Sequence, residues 1–254
     1  MNFWKVQKEP LNQKESKLLM RVLGISLIQT LIFTGLLTGL VFLFQYGLFN
    51  FDYNILVITY SAIAGANLIS LFIMYLINMF TRKFQYSIVY NVFYSIFLTL
   101  GFGFLLSLMI GYLYYYTFLV LLGSSILIYI IMMVVGFIIS RKGSILLYRI
   151  STAAIIAGLV LLGISFIAYF IGFRQYASTK GPHIIDLLIA IAFCIGIVFG
   201  LIVNIGHVKL TCALNPDNQH RGFMLHLSNI LYRAYIQVVV WIFIIFSKIR
   251  IFFD

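Results

Sequence analysis

Residues 184–209 read IIDLLIAIAFCIGIVFGLIVNIGHVK, with no charged side chain between Asp186 and Lys209. The run exceeds the roughly 20 residues that a helix needs to cross the hydrocarbon core of a bilayer. It is apolar at every register, so it lacks the polar face by which a surface helix of a soluble domain meets water. Nor does it alternate as a membrane strand must. A transmembrane helix is the economical reading, because a helix satisfies its own backbone polar groups where no water can.

Six further runs of the same kind flank it, at about Leu18 to Phe44, Leu56 to Phe80, Ser87 to Met109, Phe118 to Ser140, Leu147 to Ile171 and Met224 to Ser247. The expected fold is all-α and membrane-embedded, with seven transmembrane helices. The whole chain is consistent with this: of 254 residues, 63% are hydrophobic and only 9% charged, against roughly 25% charged in a soluble domain. Seven spans leave room for termini and short loops only. We therefore expect a basic cytoplasmic arm over residues 1–17 and one seven-helix transmembrane domain over residues 18–254. The first apolar run is too long for the core of a signal peptide, and no small-residue cleavage pattern follows it.

A net charge of +11 would suit nucleic acid only on an exposed basic surface. Here the bases sit in short loops, so nucleic acid is not expected as a partner, and the distribution reads as a topology signal. The N-terminal arm with the start of span one, and every second loop after it, hold twelve Lys and Arg, including Lys5, Lys8, Arg21, Arg82, Arg141 and Arg221, while the opposite side holds four, Arg174, Lys180, Lys248 and Arg250. By the positive-inside rule the N-terminus is cytoplasmic and the C-terminus outside, with the plasma membrane the expected location. Tyr112, Tyr114, Tyr115 and Tyr116 lie between spans three and four, where amphipathic rings favour the headgroup level.

A polar group inside hydrocarbon needs an internal partner or a watery path, which makes the few such residues informative. Arg233 lies near mid-depth of span seven, and Gln237 is one turn further on the same face. Two readings stand for Arg233: a cation lining a cavity between helices, or a side chain that snorkels to the headgroups. Asp186 stands one turn into the outer end of span six, as a hydrated cap or as a partner for Lys180. Asn204, with His207 and Lys209 nearby, makes the inner end of that span polar, and Asn67, Asn78 and Asn91 are comparable amides suited to bonds between helices. Pairs of small residues at four-residue spacing, Gly35 with Gly39, Ala62 with Ala66 and Gly196 with Gly200, mark faces where helices could approach closely.

No enzyme is expected. Gly163-Ile164-Ser165-Phe166 lacks the second glycine of a nucleophile elbow and has no mid-span histidine as a base. There is no pair of mid-span aspartates and no phosphate-binding loop. His183, His207, His220 and His226 lack metal-ligand spacing, and the two cysteines, Cys194 and Cys212, form no C-x-x-C pair. No cofactor or metal is implied.

Three stretches resemble the Bax-inhibitor family of multi-pass membrane proteins: Glu15-Ser16-Lys17 leading into Leu19-Met20-Arg21-Val22-Leu23-Gly24, the segment Val135-Gly136-Phe137-Ile138-Ile139-Ser140-Arg141-Lys142-Gly143-Ser144, and Leu231-Tyr232-Arg233-Ala234-Tyr235-Ile236-Gln237. The resemblance implies six helices around a central C-terminal helix and a pH-sensitive leak of calcium or protons controlled by two aspartates. This chain carries Asn204 and Ala234 at the matching positions, Gly143 where an acid is expected in the basic turn, and Asn67 or Ile69 near a position often acidic in bacterial members. A carboxylate pair can share a proton or hold a hard cation, whereas an amide and a methyl can do neither. Two functions follow as expectations. One is an ion leak along Asn204, Arg233 and Gln237, with Asp186 at the outer end. The other is a non-transporting scaffold that binds or modulates another membrane protein, such as a membrane protease.

Overall fold

A computed structural model describes residues 13–46, 53–81, 86–111, 115–138, 141–176, 181–215, 217–218 and 220–253, and side chains along these except at 53, 81, 115, 141–144, 165–176, 181–186 and 247–253. The described chain is helical throughout: α1 Gln13–Tyr46, α2 Tyr53–Thr81, α3 Ile88–Ile110, α4 Tyr115–Ile138, α5 Arg141–Tyr176, α6 Gly181–Leu214 and α7 Arg221–Phe253. All seven contain a stretch long and apolar enough to cross a membrane. The seven-span reading therefore holds, and the protein is a multi-pass membrane protein. Of the arm expected over residues 1–17, Gln13 to Lys17 are helical as the start of α1, and the rest lies outside the described residues.

The helices begin and end where local chemistry allows. Ser87 caps α3, its hydroxyl accepting from the backbone N–H of Tyr90, which supplies one of the partners a first turn lacks. Pro182 occupies the first turn of α6, where its missing N–H costs nothing. Within the spans, hydroxyls are turned back onto their own helix: Thr34 onto the carbonyl of Thr30, Thr38 onto Thr34, Thr59 onto Ile55 and Ser70 onto Ala66, each at 2.7–2.8 Å. Such bonds let a polar residue reside in hydrocarbon without a partner helix.

The contacts group the chain into two units. One comprises Glu9–Gly123 with Val208–Ile236 and contains α1, α2, α3 and the first half of α7. In it α3 packs against both α1 and α2. Helix α1 shows how the sequence chooses a face. Val22, Ser26, Thr30, Phe33, Leu37 and Val41 recur every three or four residues and are buried, while Leu27, Ile28, Leu31 and Ile32 on the other side are each about 60% exposed. Side chains of that kind left in water would cost about 25 cal/mol per Å². An acyl-chain solvent removes that cost. Helix α7 is the most enclosed, with half of its apolar stretch buried against a third or less in the other six.

The other unit comprises Ser124–His207 with Gln237–Asp254. Here the expected pair Gly196 and Gly200 brings α6 close to α5. A Cβ on Gly196 would stand 2.6 Å from Cγ1 of Ile155, and the hydroxyl of Ser151 donates to the carbonyl of Gly196 at 2.6 Å. Gly136 of α4 makes a similar approach to Ile205 of α6. Phe193 stacks on Trp241 with ring centroids 5.4 Å apart. The other two small-residue pairs do not pack. Nothing would lie within 4 Å of a Cβ on Gly35 or Gly39, and Ala62 and Ala66 are exposed while Ala64 between them is buried. Four-residue spacing permits close approach but does not bring another helix to that face.

Candidate functional site: a polar ladder on α1, α3 and α7

Helix α7 faces its neighbours with Asn229, Tyr232 and Tyr235, spaced three residues apart so that they share one side of the helix. Each meets a polar partner on another helix. Asn229, 4% exposed, donates from Nδ2 to the backbone carbonyl of Asn91 at 3.0 Å and to its Oδ1 at 3.2 Å. Its own Oδ1 accepts from Nε2 of Gln29 at 2.8 Å, and that nitrogen's second hydrogen goes to Oγ of Ser95 at 3.0 Å. Asn91 Nδ2 closes the set on the carbonyl of Ser87. One knot of amides thus ties α1, α3 and α7 together.

Two further rungs lie along α7. Thr99 already donates to the carbonyl of Ser95, so the hydroxyl of Tyr232 is the donor in its bond to Thr99 Oγ1. By the same logic Tyr235 donates to Thr34 Oγ1 at 2.9 Å, because Thr34 is committed to Thr30. Phe33, fully buried, sits edge-on to both rings, with centroids 6.3 Å from Tyr232 and 6.2 Å from Tyr235. An interhelical bond of this type contributes about 0.6 kcal/mol in a membrane, and about 1.7 at most. The ladder therefore fixes register more than it drives association. Ser26 Oγ, one turn before Gln29, and Gln29 Oε1 are buried with no hydrogen-bond partner among the described residues.

The ladder contains no ionisable acid or base apart from its tyrosine hydroxyls, and none of its polar groups points at Arg233. That residue is exposed on α7, although Tyr232, Ala234, Tyr235 and Ile236 around it are each at most 2% exposed. The part of α7 that contains a stretch apolar enough to cross a membrane is Arg221–Phe246. At 1.5 Å per residue Arg233 stands about 18 Å along the axis from its start and about 20 Å from its end. Among the described residues Arg233 makes no hydrogen bond and no ion pair.

The other residues singled out by sequence are divided between the two units. Ala234 is buried, at 2% exposure. Gln237 is exposed one turn beyond Arg233, and Asn204 is exposed on α6. Asp186 lies in α6, but its side chain is outside the described residues, as is Lys180. Of the amides expected to bond between helices, Asn91 does so, whereas Asn67 turns back to the carbonyl of Ile63 and Asn78 Oδ1 is buried without a partner among the described residues. Tyr116 is 82% exposed at the start of α4, and Tyr112 and Tyr114 lie outside the described residues.

Sequence reasoning missed Gln29 and Asn229, which carry the centre of the ladder. A signal was present: Ser26, Gln29, Thr30 and Thr34 recur on one face of α1, and Asn229, Tyr232 and Tyr235 on one face of α7. Polar stripes matched across two spans are what interhelical bonding requires. No family model, curated protein or solved structure matches this chain.

Proposed function

We propose that the protein is a non-transporting membrane scaffold that binds another integral membrane protein, built on a helix bundle of Bax-inhibitor type whose gating carboxylates have been replaced. One observation carries the reading. The polar groups that bridge α1, α3 and α7 are neutral and pair with one another, Asn229 with Asn91 and Gln29, Tyr232 with Thr99, Tyr235 with Thr34, with Ser26 Oγ and Gln29 Oε1 left over among the described residues, while the charged Arg233 is exposed.

A calcium or proton leak needs the opposite arrangement, an acid at depth that can take up and release its ion. Ala234, at one of the two positions where the family resemblance implies an aspartate, contributes only a buried methyl, and Asn204, at the other, contributes an amide. A scaffold needs no titratable centre. It needs a rigid interior and an exposed group that another membrane protein can recognise, and the ladder and Arg233 supply these. The reading has the N-terminus in the cytoplasm and the C-terminus outside, in the plasma membrane, and twelve bases against four on alternate sides of the chain support that orientation.

Chemical crosslinking in native membranes followed by affinity purification of the full chain tests this. The expected result is one membrane protein recovered in fixed ratio to the chain across preparations. Repeated recovery of the chain alone overturns the proposal.

A further inference from the structure

Helix α1 carries its bases on its exposed side. Lys14, Lys17 and Arg21 recur at three- and four-residue intervals, which places them within about 60° of one another round the axis, and all three are exposed. The same side continues into Gly24, Ile28 and Leu31, where Ile28 and Leu31 are 59% and 62% exposed. Gly24 is exposed too, and a Cβ there would meet nothing within 4 Å. The stripe is thus a cationic head followed by an apolar strip with a notch at its top. The one acid of α1, Glu15, lies off the stripe, about 100° round from Lys14.

The dimensions of the stripe match one leaflet. The sequence holds no charged residue between Arg21 and Asp52, so the run that enters hydrocarbon starts at Val22. From Lys17 to Arg21 the helix rises about 6 Å, comparable with a headgroup layer of about 5 to 8 Å. From Arg21 to Leu31 it rises about 15 Å, the half-thickness of the hydrocarbon core. Head and strip together therefore have the length of one phospholipid, from its phosphate to the end of its acyl chain.

The charges select the kind of lipid. Lys14 donates to Asp217 at 2.9 Å, which offsets part of its charge, and Lys17 makes no ion pair among the described residues. A guanidinium can take two phosphate oxygens by parallel bonds, and an ammonium can take another as a point charge. Phosphatidylcholine brings a cation of its own against these bases. A headgroup with a net negative charge does not.

We propose that Lys17 and Arg21, backed by Lys14, bind the phosphate of an anionic phospholipid whose acyl chain lies along Gly24, Ile28 and Leu31. The site goes beyond the scaffold reading and needs no partner protein. Each base near an anionic lipid contributes a preference of about five-fold. The notch at Gly24 adds shape, because a side chain there would stand where the lipid passes from headgroup to chain.

Native mass spectrometry of the full chain, released from detergent and titrated with phosphatidylglycerol or phosphatidylcholine, reads the first lipid bound. Phosphatidylglycerol should bind at least about ten-fold more tightly. The double variant Lys17→Gln with Arg21→Gln should lose that preference, whereas Arg149→Gln, which removes an exposed base of α5, should keep it. Lys17→Arg with Arg21→Lys retains both charges and should retain most of the preference, which separates loss of the site from loss of the fold. Gly24→Phe should weaken phosphatidylglycerol binding with every charge in place. Excess inorganic phosphate should leave the lipid bound.

Equal affinity for the two lipids overturns the proposal, and so does a loss in Arg149→Gln as large as in the double variant, because net charge alone would then set the preference. Unchanged binding in Gly24→Phe, or release of the lipid by inorganic phosphate, overturns it as well, since the strip would then have no part in holding the ligand.

Discussion

Replacing Asn229 by alanine should destabilise the protein more than any other single amide change. Asn229 is 4% exposed and takes part in three side-chain contacts, one with Gln29 and two with Asn91. Three bonds at an average of about 0.6 kcal/mol give about 2 kcal/mol, and the void left by the missing amide adds a further contribution. The cost is limited on one side, because Gln29 Nε2 keeps its bond to Ser95. It is not limited on the other, because Asn91 Oδ1 loses its partner on α7. Steric trapping in bicelles would measure the change, with Asn204→Ala as the comparator, since Asn204 is exposed and should cost less than about 0.5 kcal/mol. A double-mutant cycle between Asn229→Ala and Gln29→Leu should return a coupling of about 0.6 to 1.7 kcal/mol. A coupling indistinguishable from zero, or a cost for Asn229→Ala no larger than for Asn204→Ala, would refute the claim that this amide ties the helices.

Further outcomes follow from the packing. Ser26→Ala should be neutral or stabilising by up to about 1 kcal/mol, because it removes a buried hydroxyl that has no partner among the described residues; the same bicelle assay reads it, and a loss of stability would show that the hydroxyl has one. Gly196→Val should cost about 1 to 3 kcal/mol through overpacking against Ile155, whereas Gly35→Ala, with open space around it, should gain up to about 1 kcal/mol from helix propensity. Tyr232→Phe should cost about 0.5 to 1.5 kcal/mol by leaving Thr99 without its donor, and Thr99→Val in the same background should add little. Lys14→Ala should leave the thermal midpoint unchanged, because its bridge to Asp217 joins two exposed side chains in water.

How much of this was legible in sequence depends on whether a property is local. Seven spans were legible because length and apolarity act residue by residue along 23 to 36 positions. The approach of α5 to α6 at Gly196 was legible as a possibility, yet Gly35 and Gly39 had the same spacing and no partner. What differs is whether another helix lies opposite, which only the fold supplies. Arg233 drew attention because a charge in hydrocarbon is conspicuous, and Asn229, four residues before it, did not because a neutral amide is not. Whether an amide is costly depends on its partner, and the partners of Asn229 are 138 and 200 residues away in the chain. Registry of α1, α3 and α7 decides that, and no local pattern encodes it.

The central claim is that the buried polar groups of this bundle hold helices together and do not form a path for ions. Flux across proteoliposomes reconstituted with the full chain tests it most directly, with calcium, proton and chloride gradients each imposed from about pH 5 to about pH 8. The account predicts no flux above protein-free vesicles for any of the three. Flux that rises with protein density and falls on Arg233→Gln or Asn229→Ala would contradict it.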